Sequence, residues 1–324
     1  MKHVFVFDPK TFRKQQWKMD NILDSIGQFF RTQEHSDFSI QISRYRRNAI
    51  TLIQRDVETA GDDDTVRVYA IGGDDILFDC LNGVAEVSNT ELTPVPYGEA
   101  SDFLHNFGEE KDELFRDIPA LVQRSTVNPT DIISWGINYA LNACFIGLPS
   151  AAASKLRESN TALDKRGFSV FSRILSSINN ILMVFDKQIA AQYYKITIDG
   201  KDFSGNYSLI HIANGPYFEG KITGLSKAAL DDGLLDVALL RSTGPLRTMW
   251  ALRRYFRGKT SSNCVILHAK KIAVRSDRRM WIQMDNEHIQ DTEVNINIVP
   301  HAVQIVAADN LSYQKPQEVT NGKR

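Results

Sequence analysis

Cysteine is scarce. Only Cys80, Cys144 and Cys264 occur, an odd number scattered far apart. That spacing excludes a disulfide framework and a cysteine-built metal site, and it fits isolated thiols in a reducing compartment. Net charge is nearly absent, at −1, so the chain as a whole has no field to recruit nucleic acid or anionic membrane. The basic residues are read as forming no long stripe, no nucleic-acid recognition module is present, and nucleic acid is not an expected partner. No apolar run approaches the roughly 18 residues of a membrane span. The opening MKHVFVFDPK places an acid and a proline where a signal peptide needs its apolar core. The expectation is a cytoplasmic chain starting near Met1. No internal repeat stands out. Two phosphate-binding signatures are also missing: the six-residue dinucleotide fingerprint, and a Walker loop with its lysine and hydroxyl.

What is present is an ordinary globular composition, 43% hydrophobic and 24% charged over 324 residues. That length suggests two domains, each able to bury a core. Val4 to Phe7 reads as a buried strand ended by Asp8-Pro9. Trp17, Ile22, Ile26 and Phe30 recur at helical spacing across 11–31. Phe38 to Ile42 alternates as a strand, Tyr45 to Val57 reads as a helix with basic residues on one side, and Val66 to Ile71 as a third strand. Gly72-Gly73-Asp74-Asp75 leads into a helix from Ile76 to Val84. This rhythm predicts a parallel sheet covered on both faces. A short helix is expected near Ala100 to Phe107, and Glu109 to Glu113 reads as a solvated charged face.

The rhythm changes near residue 130. Ile132 to Leu141 and Ala143 to Leu148 read as strands, and a helix is expected over about 170–185. Seven more strands follow, over 194–198, 207–213, 234–240, 265–269, 272–275, 281–284 and 294–298. They are punctuated at Asp199-Gly200, Asn214-Gly215, Asp232-Gly233 and Asp285-Asn286, as in an antiparallel sandwich. One helix interrupts the series, from Pro245 to Phe256. Its Met249, Trp250, Tyr255 and Phe256 lie among Arg247, Arg253, Arg254 and Arg257. That mixture suits either an interfacial face or a helix packed on the β domain with its arginines solvated. The polar tail 314–324 is expected to be disordered.

The strongest local signal is the strand–Gly72-Gly73-Asp74–helix junction. Paired glycines turn sharply and let backbone N–H groups face an anion at a helix N-terminus. A plain turn capped by Asp74 or Asp75 competes evenly with that reading. With Asn82-Gly83 behind it, the junction resembles the Gly-Gly-Asp-Gly-Thr loop and trailing Asn-Gly of the diacylglycerol kinase family. Pro96-Tyr97-Gly98-Glu99-Ala100-Ser101-Asp102-Phe103 is similar to that family's second loop. Asn142 to Gly147, Ala213-Asn214-Gly215, Asp231-Asp232-Gly233-Leu234-Leu235-Asp236-Val237 and Met284-Asp285-Asn286-Glu287 follow in the family's order.

The resemblance implies an architecture and a chemistry. The architecture is an α/β N-terminal domain over 1–130, with a parallel, Rossmann-like three-layer sheet. A larger β-rich, sandwich-like domain follows over 131–302, and 303–313 returns to the first. The chemistry is ATP-dependent phosphoryl transfer to a lipid hydroxyl in the cleft between the two, with diacylglycerol or a related lipid as acceptor. Gly72, Gly73, Asp74, Asp75, Gly98, Glu99 and Asp102 would bind the nucleotide and a catalytic Mg²⁺. Asp285 would act as base with Glu287 beside it. A structural Mg²⁺ or Ca²⁺ would sit on the side chain of Asp232 and the carbonyls of Ala229 and Leu234, an oxygen-only set. A lipid substrate, peripheral contact with the inner membrane surface and a homodimer complete the expected partners.

The sequence departs from the family's pattern at the most chemical positions. Asp75 stands where the last loop glycine is expected and Ile76 where a threonine is. Glu99 and Ser101 replace a threonine and an asparagine, Asn286 replaces a glycine, and Asp8 replaces an asparagine. The carboxylates of Asp74, Asp75 and Glu99 would either recruit a further Mg²⁺ or repel phosphate. A degenerate relative with a regulatory or ligand-binding role is therefore the alternative reading. NAD kinase-like phosphorylation is a second.

Overall fold

The computed structural model describes residues 1–32, 37–61, 63–98, 102–108, 111–154, 191–218, 221–285 and 287–314. The expected helix over 170–185, the tail beyond Gln314, and Glu99, Ala100, Ser101 and Asn286 lie outside these residues.

Strand and helix alternate first. β1 (Lys2–Phe7), β2 (Asp37–Ile42), β3 (Val66–Gly72) and β4 (Thr90–Pro96) are joined by α1 (Gln16–Arg31), α2 (Asn48–Ala60) and α3 (Asp74–Val84). The strands pair in the order β2-β1-β3-β4, each pair parallel. Neighbouring residues of a strand point to opposite faces. Val4 and Val6 therefore join Ala49, Ile53, Leu77 and Leu81 of α2 and α3. Phe5 and Phe7 join Met19, Ile22, Ile26 and Phe30 of α1 on the other face. The chain steps outward from β1 to β2, then crosses back to β3. Right-handed crossovers put α1 on one face and the later helices on the other.

Trp17 departs from the sequence expectation: it is 59% exposed. Met19 takes the buried position, because Trp17 lies two residues, about 200° of helix, away from it.

A 3₁₀ turn (Phe103–Phe107), α4 (Asp112–Arg116) and α5 (Ile118–Gln123) lead into a larger β-rich, barrel- or sandwich-like region. Its strands are β5 (Ser125–Trp135), β6 (Asn138–Ala140), β7 (Ala143–Gly147), β8 (Gln192–Ile198), β9 (Lys201–Asp202), β10 (Gly205–Ala213), β11 (Tyr217–Phe218), β12 (Lys221–Ile222), β13 (Leu235–Arg241), β14 (Cys264–Ala269), β15 (Lys271–Met284) and β16 (Glu287–Ala308). α6 (Pro245–Tyr255) separates β13 from β14. The strand expected over Ile132 to Leu141 is instead a hairpin of β5 and β6, turning at Gly136 with φ +59°. The two strands expected within 272–284 are one, β15, with a register shift between Arg275 and Met280.

β16 ties the molecule together. It pairs antiparallel with β15 and with β5, and Gln304 and Ile305 lie parallel to Glu91 and Leu92 of β4. One continuous sheet therefore runs from the α/β region into the β-rich region. β16 shifts register between Val299 and Val303, where His301 has φ +52°. There the His301 N–H donates to the fully buried Asp131 carboxylate at 2.8 Å.

Candidate active site

Three loops meet at the C-terminal ends of β1, β3 and β4, where open α/β sheets bind their ligands. The Gly72 carbonyl accepts the N–H groups of both Tyr97 and Gly98, at 2.9 and 3.0 Å. A Cβ on Gly98 would lie 2.6 Å from Gly73 Cα, and one on Gly72 would lie 2.8 Å from Ile76 Cγ2 and 3.2 Å from Asp8 Cβ. Both glycines are thus demanded by close approach. Asp8 closes its own turn, accepting the Lys10 N–H at 3.0 Å and the Thr11 hydroxyl at 3.1 Å.

Gly73 is the N-cap of α3, without a side-chain cap, and Asp74 and Asp75 occupy the first turn. Carboxylates there complement the helix dipole, the same field that would attract a phosphate. Asn82 and Gly83 act further along α3. The Asn82 amide donates to the Phe78 and Tyr139 carbonyls and accepts the Tyr139 N–H, clamping α3 to β6. Gly83 admits Ile53 of α2, whose side chain would sit 3.1 Å from an added Cβ.

A cleft of about 410 Å³ opens between the two regions. Asp8, Lys10, Ser43, Tyr45, Arg46, Asp75, Ile76, Phe78 and Asp79 form one wall, and Ser154, Trp281, Glu287 and His288 the other. Of the residues expected at the site, Asp75 and Glu287 line this cleft. Glu287 is 8% exposed and ion-paired across it with Arg46. Asp79 accepts the Arg47 N–H at 2.7 Å, and burial raises its pKa, with Asp75 and Glu287 nearby adding to the rise. On the far wall, Ser154 Oγ and His288 Nδ1 are 3.1 Å apart. Lys10, Arg46, Asp79, Ser154 and His288 were not singled out from sequence. The basic run Arg44-Tyr45-Arg46-Arg47 was the available signal. The expected helix from Tyr45 places Arg46 and Arg47 on its basic side, but α2 starts only at Asn48 and Arg47 has φ +63°.

Asp285 occupies the turn between β15 and β16, with φ +44°. Aspartate tolerates this conformation better than most residues. Its carboxylate accepts the N–H groups of Leu141 at 2.7 Å, Asn142 at 3.0 Å and Ala143 at 2.9 Å. Those donors hold the ionised form. Burial nevertheless pushes the pKa up to about 6, and Asp102 nearby adds to the rise. The Asn142 carbonyl in turn accepts the N–H groups of Asn214 and Gly215. Asn214, fully buried, donates to the Asp131 and Leu141 carbonyls. The motif asparagines thus frame the Asp285 turn.

Asp232 lies elsewhere. Its Oδ1 accepts the Leu234 N–H at 3.0 Å, and the Gly233 N–H donates to Asp131 at 2.6 Å. The Asp232 pKa is raised, first by burial and then by Asp131 and Asp231, a crowding of carboxylates that a cation would relieve. Among the described residues, no three His, Cys, Asp or Glu side chains group to hold a metal. A site there would depend on backbone carbonyls. Asp236 is buried and faces the His268 ring, with Nδ1 3.4 Å from its carboxylate.

Comparison with known proteins places this geometry. Residues 182–307 match the model of the YegS C-terminal NAD kinase beta sandwich-like domain. A candidate lipid kinase of Staphylococcus aureus is 24% identical over 284 residues, covering 84% of this chain and 87% of that protein. One of Staphylococcus haemolyticus is 24% identical over 278 residues, covering 83% and 85%. The crystal structure of a diacylglycerol kinase from Bacillus anthracis superposes with a TM-score of 0.66 at 19% identity, covering 96% of this chain and 98% of that one. A candidate diacylglycerol kinase of the same organism gives 0.69 at 20% identity, covering 94% and 97%. The similarity in fold thus extends through both regions.

Proposed function

We propose, proceeding from a chain related to the YegS- and diacylglycerol-kinase-like lipid kinases, that this protein transfers a phosphoryl group from ATP to a lipid hydroxyl. Diacylglycerol or a related lipid is the acceptor. The observation that carries the reading is Asp285. Its carboxylate is fixed by three backbone N–H groups yet pushed to a pKa of about 6. A general base works best with a pKa near the operating pH. Glu287, two residues on, lines the cleft. The parallel order β2-β1-β3-β4 with helices on both faces supports reading 1–130, with 303–313, as a Rossmann-like nucleotide domain and 131–302 as the acceptor domain.

In this mechanism Asp285 takes the proton of the acceptor hydroxyl as its oxygen becomes nucleophilic. Gly72, Gly73 and Gly98 keep the loops close enough for the N-terminus of α3 to hold phosphate through backbone N–H groups. Lys10 and Arg46 add positive charge on the same wall. Asp74 and Asp75 are the carboxylates that would hold Mg²⁺, which supplies charge neutralisation for phosphoryl transfer when bound. Asp102 stays near Asp285 and adds to the rise in pKa that burial produces. Asp232, with the Ala229 and Leu234 carbonyls, is proposed as a separate structural Mg²⁺ or Ca²⁺ site.

One observation favours a second reading. The acidic first turn of α3 already complements the helix dipole, which suits a relative with weak nucleotide binding and a regulatory role. Transfer of labelled phosphate from ATP to a lipid panel decides between them. The wild type is expected to label a lipid, and Asp285→Asn to lose about 10²- to 10⁴-fold in rate. Unchanged kcat in that variant removes Asp285 as the base, and no labelling with any lipid favours the second reading.

A further inference from the structure

The charge of this chain is unevenly placed. From Val237 to Ser276, forty residues, there is no Asp or Glu, and nine Lys or Arg occur. The rest of the chain keeps 29 of the 38 basic residues against all 39 acidic ones. α6 lies inside this segment, and its faces divide sharply. Thr248, Ala251 and Tyr255 are buried, with Ala251 and Tyr255 in a core shared with Phe145 and Leu240. The outer face carries Leu246, 68% exposed, Trp250, 57% exposed, and exposed Arg253, and exposed Arg257 follows in the turn just past the helix end. The first three recur at the three- and four-residue spacing of one helical stripe. The Arg254 guanidinium lies 4.7 Å from the centre of the Trp250 ring.

We infer that the outer face of α6 is a docking surface for an anionic lipid bilayer. The inference rests on the lipid-acceptor reading for its purpose but on charge and exposure for its evidence. An indole with an apolar neighbour and a cluster of arginines suits the headgroup region, where the ring sits at the interface and the cations meet anionic lipid. Single-stranded nucleic acid is less well matched, because it needs a row of stacking rings and this stripe offers one. The surface also connects to the cleft. Met249 and Leu252 of α6 pack with Leu148 and Ala152 of the helical segment 148–154. Ser154, at the end of that segment, reaches His288 in the cleft wall. A bilayer seated on α6 would thus bear on the segment that borders the acceptor site.

Co-sedimentation of the full chain with vesicles tests this. The wild type is expected to pellet with phosphatidylcholine vesicles containing phosphatidylglycerol and not with phosphatidylcholine alone. Arg253→Gln with Arg257→Gln should weaken binding roughly 30-fold, the effect of two surface cations. Leu246→Ser with Trp250→Ser should abolish the binding that persists in high salt, where charge attraction is screened. All four side chains face solvent, so unchanged melting curves will certify folding. No pelleting of the wild type with the anionic vesicles, equal binding to neutral vesicles, or tighter binding to a single-stranded RNA oligomer overturns the inference. So does an arginine double variant that binds as the wild type does. Transfer to detergent-dispersed diacylglycerol, measured alongside, keeps the two proposals separable. Vesicle binding without transfer defeats only the catalytic reading, and transfer without vesicle binding defeats only the docking surface.

Discussion

Asp285 shows how one residue's chemistry depends on partners far away in sequence. A turn aspartate in water ionises near its ordinary value of 3.8, but here burial lifts the pKa to about 6 against three N–H donors. Ionisation is thus disfavoured in the folded chain, and the base form accumulates only as pH rises through about 6. We expect kcat/KM to rise with pH with an inflection near 6, measured on soluble dispersed lipid. Asp285→Asn should abolish that inflection along with most of the rate, whereas an inflection that persists in the residual activity assigns it to another group. Gly98 is a second case. Its added Cβ would strike Gly73 Cα at 2.6 Å and N at 2.9 Å, and backbone cannot swing aside as a side chain can. Gly98→Ala is expected to cost about 1–3 kcal/mol in denaturant unfolding and to weaken ATP binding. Wild-type stability in that variant would show that the loops separate freely.

At the level of elements, α3 is the most informative. Its Asn82 clamp and Gly83 contact are structural, while its first turn faces the cleft through Asp75. With Asp75 as a proposed Mg²⁺ ligand, Asp75→Gly is expected to weaken ATP–Mg²⁺ binding in calorimetry. A gain of up to about tenfold, the scale of a partly screened like-charge contact, would instead show that Asp75 opposes phosphate. The turn before β13 gives another prediction. Asp232 spends one oxygen on the Leu234 N–H, and the neighbouring Asp131 and Asp231 raise its pKa further. A bound cation would stabilise only the folded chain. Melting temperature is expected to rise with added Mg²⁺ or Ca²⁺ in the wild type and to stop rising in Asp232→Ala. Equal responses would place the ion elsewhere.

Across the whole molecule, the two regions share a sheet through β16 and should share their acid sensitivity. His3 in the first region is 5% exposed, and burial first, then Arg67 and the N-terminus, lower its pKa to about 4. His211 in the second is 1% exposed, with Nδ1 2.6 Å from the Tyr255 hydroxyl, and burial lowers its pKa to about 3. Unfolding frees both rings to take protons below their ordinary value of 6.5. Through these two rings the unfolded state binds more protons between about pH 6.5 and 4, so their contribution to stability falls as pH falls through that window. Asp285 and Asp236, raised to about 6, oppose it below pH 6, because there the folded chain takes up their protons first. In urea unfolding at pH 7 and pH 5, His3→Gln and His211→Gln should each shift the balance toward relatively greater stability at pH 5, although each starts from a lower stability. An unchanged slope in both would assign the acid sensitivity to other groups.

The apolar runs of β1 and β3, the alternation of β2, the Ile22, Ile26 and Phe30 spacing of α1 and the glycine punctuation of the later strands were determined by the sequence alone. Each is a local consequence of strand or helix period and of backbone freedom. The order of motifs from Gly72 to Glu287 likewise carried the resemblance to the diacylglycerol kinase family. Other features were decided only by tertiary structure. Trp17 could not be told from a core residue until Met19 was seen to face the sheet. The two β15 segments could not be joined until their partners on β16 were known. Arg46 meets Glu287 across 241 positions of chain, and Lys10, Asp79, Ser154 and His288 carry no motif of their own. The raised pKa of Asp285 exists because the assembled β-rich region buries its carboxylate, against the opposing N–H donors of Leu141, Asn142 and Ala143. Local periodicity is written in neighbouring residues, whereas burial and the meeting of distant side chains exist only once the sheet has brought the strands together.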